Sequence, residues 1–288
     1  MKQLLILSGK GGTGKTTVAS ALIRLSKTKA YADCDVDAPN LHLLNRQKKK
    51  PHVNDFYGLK KARINPDKCI GCGLCAQYCE FNAIEFTGVY QVKEAICEGC
   101  ELCAAVCPVD AIEMHDFVAG KTKTYQNNHV FATAELSIGA GNTGLLVTEV
   151  KSNMKNASPE DTEWAILDGS PGIGCPVIAS MSGVDRVLIV TEPSVFAIHD
   201  MERILKTADH FGVKTDICIN KANIHPEMTE KIKIFAHDRG LECLGEIPYD
   251  DNVIHAQNQG KSIIDYSSPA KTVVTQIYQR LAIHMQNG

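Results

Sequence analysis

Eight cysteines between residues 69 and 107 form two copies of one pattern. The copies read CIGCGLCAQYC at 69–79 and CEGCELCAAVC at 97–107, and both have the spacing C-x2-C-x2-C-x3-C. This spacing is typical of bacterial-type ferredoxins, in which the fourth cysteine of each run ligates the other cluster. By this crossed rule we expect two [4Fe-4S] clusters, the first held by Cys69, Cys72, Cys75 and Cys107 and the second by Cys97, Cys100, Cys103 and Cys79.

Structural zinc is the alternative for paired C-x2-C motifs, but it normally needs four ligands with a longer gap between the pairs. Two complete tetrads at ferredoxin spacing favour the clusters. One departure is Glu80, which stands where the pattern has a proline; Pro108 is present in the second copy. A segment this small buries too little apolar surface to fold alone. We therefore expect the clusters to form its core, and residues 60–120 to unfold when iron is lost.

A glycine-rich loop near the start of the chain is the second feature with chemical potential. The stretch GKGGTGKTT at 9–17 fits G-x-x-x-x-G-K-[ST], in which backbone N–H groups and a helix N-terminus surround phosphates. Lys15 is expected to reach the β- and γ-phosphate oxygens of ATP, and Thr16 to ligate Mg²⁺. The nucleotide contacts expected from this loop are Gly11, Gly12, Thr13, Gly14, Lys15, Thr16 and Thr17.

The same loop also contains G-x-G-x-x-G starting at Gly9, and Asp33 and Asp35 follow about twenty residues later, as in a dinucleotide-binding fold. That fold has no use for Lys15 and Thr16 at the helix start, because a pyrophosphate on a helix N-terminus needs neither an ammonium group nor a magnesium-binding hydroxyl. The motif therefore favours ATP or ADP with Mg²⁺.

A third segment agrees with this interpretation. The apolar run 164–168 ends in Asp168 and is followed by Gly-Ser-Pro-Gly172. A buried strand that ends in an acid suits an aspartate of the magnesium shell, and the glycine-rich stretch suits a γ-phosphate-sensing switch II loop that contains Gly172. A strand that ends by chance at an aspartate in a turn is the alternative. The matching phosphate loop favours the functional interpretation.

The elements that position these residues alternate between strands and helices. Apolar runs predict strands, and apolar residues at helical spacing predict helices. This order predicts an α/β P-loop NTPase fold, a mostly parallel sheet with helices on both faces, with a small α+β bacterial-type 2[4Fe-4S] ferredoxin domain inserted. We expect a discontinuous ATPase domain at 1–59 and 121–288 around an insert at 60–120. The predicted strands are 4–7, 164–168, 187–190, 217–219 and 246–248, and the predicted helices are 15–26, 197–211, 226–239 and 270–285.

The composition narrows the class of protein. In 288 residues, 30 Lys and Arg against 33 Asp and Glu give a net charge of -3, and 44% of residues are hydrophobic. These values exclude a disordered chain and a polybasic nucleic-acid binder. Aromatic residues make up 6%, so we expect no nucleic-acid partner. With neither a secretory leader nor an apolar run of ~18 to 20 residues, we expect a cytoplasmic protein with reduced thiols and no membrane span.

The phosphate loop carries an extra lysine, Lys10, two positions after Ser8. In this it resembles the deviant Walker A motif of the MinD/Mrp and nitrogenase-iron-protein group of P-loop ATPases. With both cysteine motifs, the chain resembles MinD-superfamily ATPases that contain an inserted ferredoxin domain. The resemblance implies ATP hydrolysis in a nucleotide-sandwich homodimer. It implies that Lys10 reaches the partner's phosphates and Asp35 orients the attacking water, with Lys15 as the third catalytic residue.

Three more site residues follow from the resemblance. Asn220 matches the asparagine that recognises adenine, and Pro248 and Asp250 match the loop that closes over the base and ribose; turns at strand ends are the alternative.

Cys175 stands where the nitrogenase iron protein has a cluster ligand. Since no second cysteine lies between 124 and 150, a small buried thiol is favoured over a bridging cluster.

These features together predict a homodimeric ATPase. Its ATP-bound state would reposition two clusters for electron transfer to, or metal-centre assembly on, an unidentified redox or metal-cofactor partner protein. Because the insert follows the Asp35 switch, motion of that switch could be passed to the clusters. The alternatives are an iron–sulfur or metal-cofactor scaffold or carrier, and a MinD-like positioning ATPase of cell division. We expect the C-terminal helix to pack on the sheet through Val274, Ile277, Leu281 and Ala282, and not to bind a membrane.

Overall fold

The computed structural model of the protein describes residues 1–287, with only the backbone of Asn287. The strands are β1 (Lys2–Leu7), β2 (Ala30–Asp33), β3 (His52–Tyr57), β4 (Lys61–Ile64), β5 (Ile84–Phe86), β6 (Tyr90–Val92), β7 (Ile112–His115), β8 (Val118–Gln126), β9 (Val130–Leu136), β10 (Trp164–Asp168), β11 (Arg186–Thr191), β12 (Lys214–Asn220) and β13 (Glu242–Ile247). The helices are α1 (Lys15–Ser26), α2 (Leu41–Leu44), α3 (Leu74–Gln77), α4 (Leu102–Ala105), α5 (Thr143–Ala157), α6 (Cys175–Met181), α7 (Ala197–Phe211), α8 (Pro226–Asp238), α9 (Asp251–Asn258) and α10 (Pro269–Asn287).

One large sheet organises the chain, in the strand order β13-β12-β11-β1-β10-β2-β9-β8-β3. Neighbours from β13 to β9 are parallel, which confirms the predicted mostly parallel sheet. Strands β8 and β3 extend the sheet in antiparallel register beyond β9. This antiparallel edge was not among the predicted strands, because polar residues interrupt the apolar pattern of both.

Strand β1 shows how the sheet is covered on both faces. Its successive side chains point to opposite sides, so Leu4 and Ile6 join one core while Leu5 and Leu7 join another. The first core contains the buried faces of α1 and α10, and the second those of α5, α7 and α8. These four residues of β1 are fully buried, and helices on both faces are confirmed.

Helix α10 lies against the sheet along its apolar stripe. Val274, Ile277 and Leu281 are buried in the core that contains α1, whereas Ala282 is half-buried. The expected packing of this helix is therefore observed for three of the four residues. Among the described residues, no helix is long and apolar enough to cross a membrane.

The cysteine-rich segment forms a small unit between β3 and β8. Strand β4 pairs with β7 and β5 with β6, both antiparallel, and α3 and α4 are single turns of helix within the two cysteine motifs. Its buried apolar cluster consists of only Ala62, Ala83 and Cys97. The unit thus has two similar halves and little apolar core of its own.

Candidate functional site

The loop between β1 and α1 has the backbone that a phosphate site needs. Gly12 and Gly14 adopt left-handed φ angles of 81° and 94°, which glycine tolerates without strain. A Cβ on Gly14 would lie 2.2 Å from Nδ2 of Asn220, so only glycine fits there. Helix α1 has no side-chain cap and no acidic residue in its first turn. Its free N–H groups can therefore bind an anion.

Lys15 and Asp168 form a buried ion pair at the centre of the site. Nζ of Lys15 lies 2.5 Å from Oδ1 of Asp168 and 3.4 Å from Oγ1 of Thr16. Burial alone would lower the pKa of Lys15, but the carboxylates of Asp168 and its neighbours raise it above the usual value. Oδ2 of Asp168 is buried and has no hydrogen-bond partner among the described residues. A buried acceptor without a partner, on the carboxylate that pairs with Lys15, fits a hydrated Mg²⁺.

Asp33 organises switch I, the loop after β2 that contains Asp35, and sequence reasoning assigned it no role in the site. Its Oδ2 accepts hydrogen bonds from N–H of Asn40 and Leu41, both at 2.9 Å, and its Oδ1 accepts one from N–H of Asp35 at 3.1 Å. Burial and the nearby Asp168 raise the pKa of Asp33 to about 7. Its position at the end of a buried strand, like that of Asp168, is the sequence signal for this role.

Two adjoining cavities run across the mouth of the loop. The first, about 310 Å³, is lined by Ser8, Gly11, Gly12, Thr13, Gly14, Lys15, Thr16, Thr17, Asp35, Asn40, Pro171 and Gln257. The second, about 240 Å³, is lined by Gly12, Gly14, Thr17, Asn220, Lys221, Pro248, Tyr249, Asp250, Val253, Ile254 and Gln257. Because the cavities share four residues, they form one groove along which a phosphate chain and a nucleoside can lie.

The residues expected at the nucleoside end have structural contacts of their own. Nδ2 of Asn220 donates to the carbonyl of Thr13 at 2.7 Å. Asp250 caps α9 by accepting from N–H of Asn252 at 2.9 Å and also accepts from N–H of Ala270 at 3.2 Å. Asp250 therefore shapes the loop that borders the cavity. Gln257, which donates to Oγ1 of Thr17, was not predicted.

Lys10 is held at the rim of the site by Glu192. Its Nζ lies 2.9 Å from Oε1 of Glu192, and Nζ of Lys221 lies 2.8 Å from Oε2 of the same carboxylate. Partial burial alone would raise the pKa of Glu192, but the two lysines lower it. The Lys10 side chain is 39% exposed. Neither Glu192 nor Lys221 was predicted, since their grouping depends on the adjacency of β11 and β12.

Switch II, residues 169–174, is bonded to both other loops of the site. N–H of Gly172, at a φ of 91°, donates to the carbonyl of Ser8 at 2.9 Å. Oγ of Ser170 donates to the carbonyl of Cys34 at 3.0 Å. Cys175 begins α6 directly after this switch and is exposed. The favoured expectation of a buried thiol at Cys175 is therefore wrong, because the residue lies on the first turn of a helix at the surface.

The eight motif cysteines surround two separate cavities in the small unit. One cavity is lined by Cys69, Cys72, Cys75 and Cys107, and the other by Cys79, Cys97, Cys100 and Cys103. These are the two sets that the crossed rule predicts. N–H of Ala83 donates to Sγ of Cys79 and N–H of Ala111 to Sγ of Cys107, both at 3.3 Å. Four thiols around a cavity, with an N–H donor to one sulfur, fit a [4Fe-4S] cluster.

The two cavities differ at one matched pair of positions. At the start of α3, Gly73 has a φ of 77°, and a Cβ there would lie 2.7 Å from the hydroxyl of Tyr90. At the start of α4 the matching residue is Glu101, with a φ of 65°. Tyr90 lines the first cavity. The matching residue, which lines the second cavity, is the smaller Ala62. The large Tyr90 therefore occurs in the half with Gly73, and the small Ala62 occurs in the half with the Glu101 side chain.

Comparison with known proteins agrees with both parts of the structure. The family described as "4Fe-4S dicluster domain" matches residues 62–114. The uncharacterized protein MJ0578 of Methanocaldococcus jannaschii is 32% identical over 282 residues, covering 97% of this chain and 96% of that protein. The septum site-determining protein MinD of Thermotoga maritima is 23% identical, covering 89% and 79%.

A solved structure shows the same fold. MinD of Pyrococcus horikoshii, complexed with Mg-ADP, superposes with a TM-score of 0.58 at 17% identity, covering 97% of this chain and 95% of that one. This likeness supports the P-loop ATPase fold, and the match to the dicluster family supports the inserted domain. By its likeness over nearly the whole length, the chain belongs to the same family as MJ0578, and its fold is that of the MinD-type P-loop ATPases with an inserted 4Fe-4S dicluster domain.

Proposed function

We propose that the protein is a Mg²⁺-dependent ATPase that works as a homodimer and uses ATP to reposition two [4Fe-4S] clusters. The clusters would serve electron transfer to, or metal-centre assembly on, a partner protein. One observation carries the proposal: a continuous chain of contacts links switch II to the second cysteine motif.

That chain of contacts begins at α6, which follows switch II and packs against α5. A Cβ on Gly144, in the first turn of α5, would lie 3.4 Å from the carbonyl oxygen of Cys175. Just before α5, a Cβ on Gly141 would lie 2.9 Å from Oε2 of Glu98, and one on Gly139 would lie 3.5 Å from Cβ of Ala95. We therefore expect a shift of switch II to reach the second motif through α6, α5 and the exposed loop before α5. Switch I is the route that the sequence alone indicated.

The residues of the phosphate cavity have the roles that phosphoryl transfer needs. Lys15 neutralises charge on the β- and γ-phosphates, while Thr16 and Asp168 hold Mg²⁺. Asp35, half-buried in the cavity wall, positions the attacking water. Burial raises the pKa of Asp35, and Lys15 opposes that rise. Lys10, once released from Glu192, supplies charge to the phosphates of a second subunit.

In the small unit, the eight thiolates hold the clusters, which supply one-electron chemistry when bound. The N–H groups of Ala83 and Ala111 stabilise the sulfur charge of Cys79 and Cys107. Cys75 and Cys97 are buried, whereas Cys72 and Cys100 are exposed. Each cluster would therefore have a protected side and a side open to a partner.

Hydrogen exchange of the reconstituted protein tests the link between the sites. With Mg²⁺ and a non-hydrolysable ATP analogue, we expect altered exchange at residues 95–103 and 137–144. The Lys15→Ala variant, exposed to the same analogue, should show no alteration. Unchanged exchange at both segments in wild-type protein with bound analogue would contradict the link.

A scaffold that passes intact clusters to an acceptor is a second candidate, favoured by the exposure of Cys72 and Cys100. Incubation of the iron-loaded protein with an apo-ferredoxin, followed by separation and iron analysis, distinguishes the two functions. Retention of iron through repeated reduction and oxidation supports the electron carrier. Stoichiometric appearance of iron on the acceptor supports the scaffold.

A further inference from the structure

A buried lysine lies beside the second cysteine cavity. Lys61, on β4, is only 2% exposed. Its ammonium group donates a hydrogen bond to the carbonyl oxygen of Cys97 and lies 5.2 Å from the ring centroid of Phe117. The neighbouring Lys60 is exposed, and its Nζ lies 4.0 Å from Oδ1 of Asp116. Among the described residues, no carboxylate lies within 4 Å of the Lys61 ammonium.

An ammonium buried without a counter-charge is strongly unfavourable, because one carbonyl and one aromatic ring replace little of its hydration. A cluster held in the second cysteine cavity would supply the missing charge. Cys97 lines that cavity, and its Cα and Cβ alone separate the carbonyl that Lys61 contacts from the sulfur. A [4Fe-4S] cluster with four thiolates carries a net negative charge.

We propose that Lys61 is the counter-ion of the cluster held by Cys79, Cys97, Cys100 and Cys103, and that it raises the reduction potential of that cluster. The proposal rests on the proposed cluster sites. Reduction by a low-potential one-electron donor adds one negative charge to the cluster and leaves its thiolate bonds intact. A fixed ammonium nearby stabilises that added charge, so the reduced state becomes more favourable.

The repeat within the small unit makes this effect specific to one cluster. The N–H of Asn65 donates to the carbonyl of Ala111, and in the other half that of Lys93 donates to the carbonyl of Ala83, both at 2.7 Å. When the two halves are aligned so that Asn65 corresponds to Lys93, Lys61 corresponds to Val89, which is an exposed apolar residue. The first cluster therefore has no equivalent of Lys61 at the matched position.

The N–H to sulfur bonds are the same in both halves, so they do not distinguish the clusters. Two glutamates, Glu98 and Glu101, also line the second cavity, but both are exposed. Solvent and salt screen exposed charges far more than buried ones. Substitution of Lys61 should therefore affect the potential more than substitution of a surface charge.

The test is a redox titration of the anaerobically reconstituted, full-length protein, followed by EPR. We compare wild type with Lys61→Met and with the control Lys60→Met, which removes an exposed charge one residue away. We expect one of the two midpoint potentials to fall in Lys61→Met while the other stays unchanged, and both to stay unchanged in Lys60→Met. An iron-replete Lys61→Met with wild-type potentials, or an equal shift in Lys60→Met, would overturn the proposal.

If Lys61→Met retains too little iron for the titration, Lys61→Arg and Lys61→Gln decide. A counter-ion role predicts that the charged arginine variant keeps iron and the neutral glutamine variant loses it. Equal retention, or equal loss, in both would overturn the role. Failure of the cluster sites themselves is a distinct result, because wild-type protein would then show no [4Fe-4S] signal after reconstitution.

Discussion

Among single residues, the buried pair of Lys15 and Asp168 and the partly exposed pair of Lys10 and Glu192 contribute differently to the stability of the fold. Breaking a buried ion pair leaves one charge uncompensated, at a cost of about 3–5 kcal/mol. An exposed pair contributes about 0–1 kcal/mol. Lys10 and Lys15, two lysines of one loop, therefore differ in how much they contribute to the free energy of unfolding.

We predict that Lys15→Met lowers the free energy of unfolding by about 3–5 kcal/mol and abolishes nucleotide binding. The matched variant Lys10→Met should lose under about 1 kcal/mol, and should keep binding while losing hydrolysis. Urea denaturation followed by fluorescence of Trp164, the single tryptophan, measures stability in the ATPase domain. Equal destabilisation by the two substitutions would contradict this assignment.

Three of the four cysteines outside the motifs should differ in reactivity. Burial raises the pKa of the Cys34 thiol to about 12 and raises that of Cys218 as well. Because the thiolate is the reactive form, we predict that iodoacetamide at pH 8 labels the exposed Cys175 in the native, iron-loaded protein. Cys34 and Cys218 should react only after unfolding. Mass spectrometry of peptides identifies the labelled sites, and rapid native labelling of Cys34 would be inconsistent with its burial.

Residue types and spacing predicted the phosphate loop, Asp168 and the two cysteine sets, because each set of functional groups lies close together in the sequence or repeats. They did not predict Glu192 or Lys61. The role of Glu192 depends on which strands are neighbours, and that of Lys61 on burial beside a cavity. Neither property has a local sequence signal.

At the scale of elements, the first cysteine motif depends on Gly73. A side chain there would be strained by the left-handed backbone and would also meet the hydroxyl of Tyr90. We predict that Gly73→Ala destabilises the small unit and lowers the iron content. Gly88→Ala is the matched control, because Gly88 has a φ of 94° with nothing within 4 Å of a Cβ.

Gly88→Ala should therefore show only the backbone penalty, of about 1–2 kcal/mol, with full iron content. The double variant Gly73→Ala with Tyr90→Ala should recover part of the loss, since the contact is gone and the strain remains. Thermal denaturation and iron analysis measure both effects. If Gly73→Ala costs no more than Gly88→Ala, the contact with Tyr90 has no role.

The elements that periodicity predicted lie close to observed ones: α1 and β10 have the predicted bounds, and α8 ends one residue early. The antiparallel strands β3 and β8 were missed because their polar residues hide the alternation. The position of the insert in the sequence indicated switch I as the coupling route, and this remains a prediction. The proximity of α6 and α5 to the second cysteine motif adds a route from switch II that has no local sequence signal.

At the scale of the whole molecule, the two parts of the chain differ in what stabilises them. The ATPase part has two apolar cores on either side of one sheet, whereas the buried apolar cluster of the small unit has three residues. We predict that chelation of iron unfolds residues 60–120 and leaves the sheet folded. Hydrogen exchange should lose protection in the insert while the amides of β1 and β10 stay protected. Loss of protection throughout the chain would contradict separate stabilisation.

We expect the nucleotide state of the ATPase part to alter the clusters. EPR of the reduced, reconstituted protein tests it directly, without nucleotide, with ADP, and with a non-hydrolysable ATP analogue, in wild type and Lys15→Ala. We predict a [4Fe-4S] signal that changes with the ATP analogue in wild type and stays constant in Lys15→Ala. Two normal cluster signals that are identical in all nucleotide states, with the analogue bound, would show that the nucleotide state does not reach the clusters.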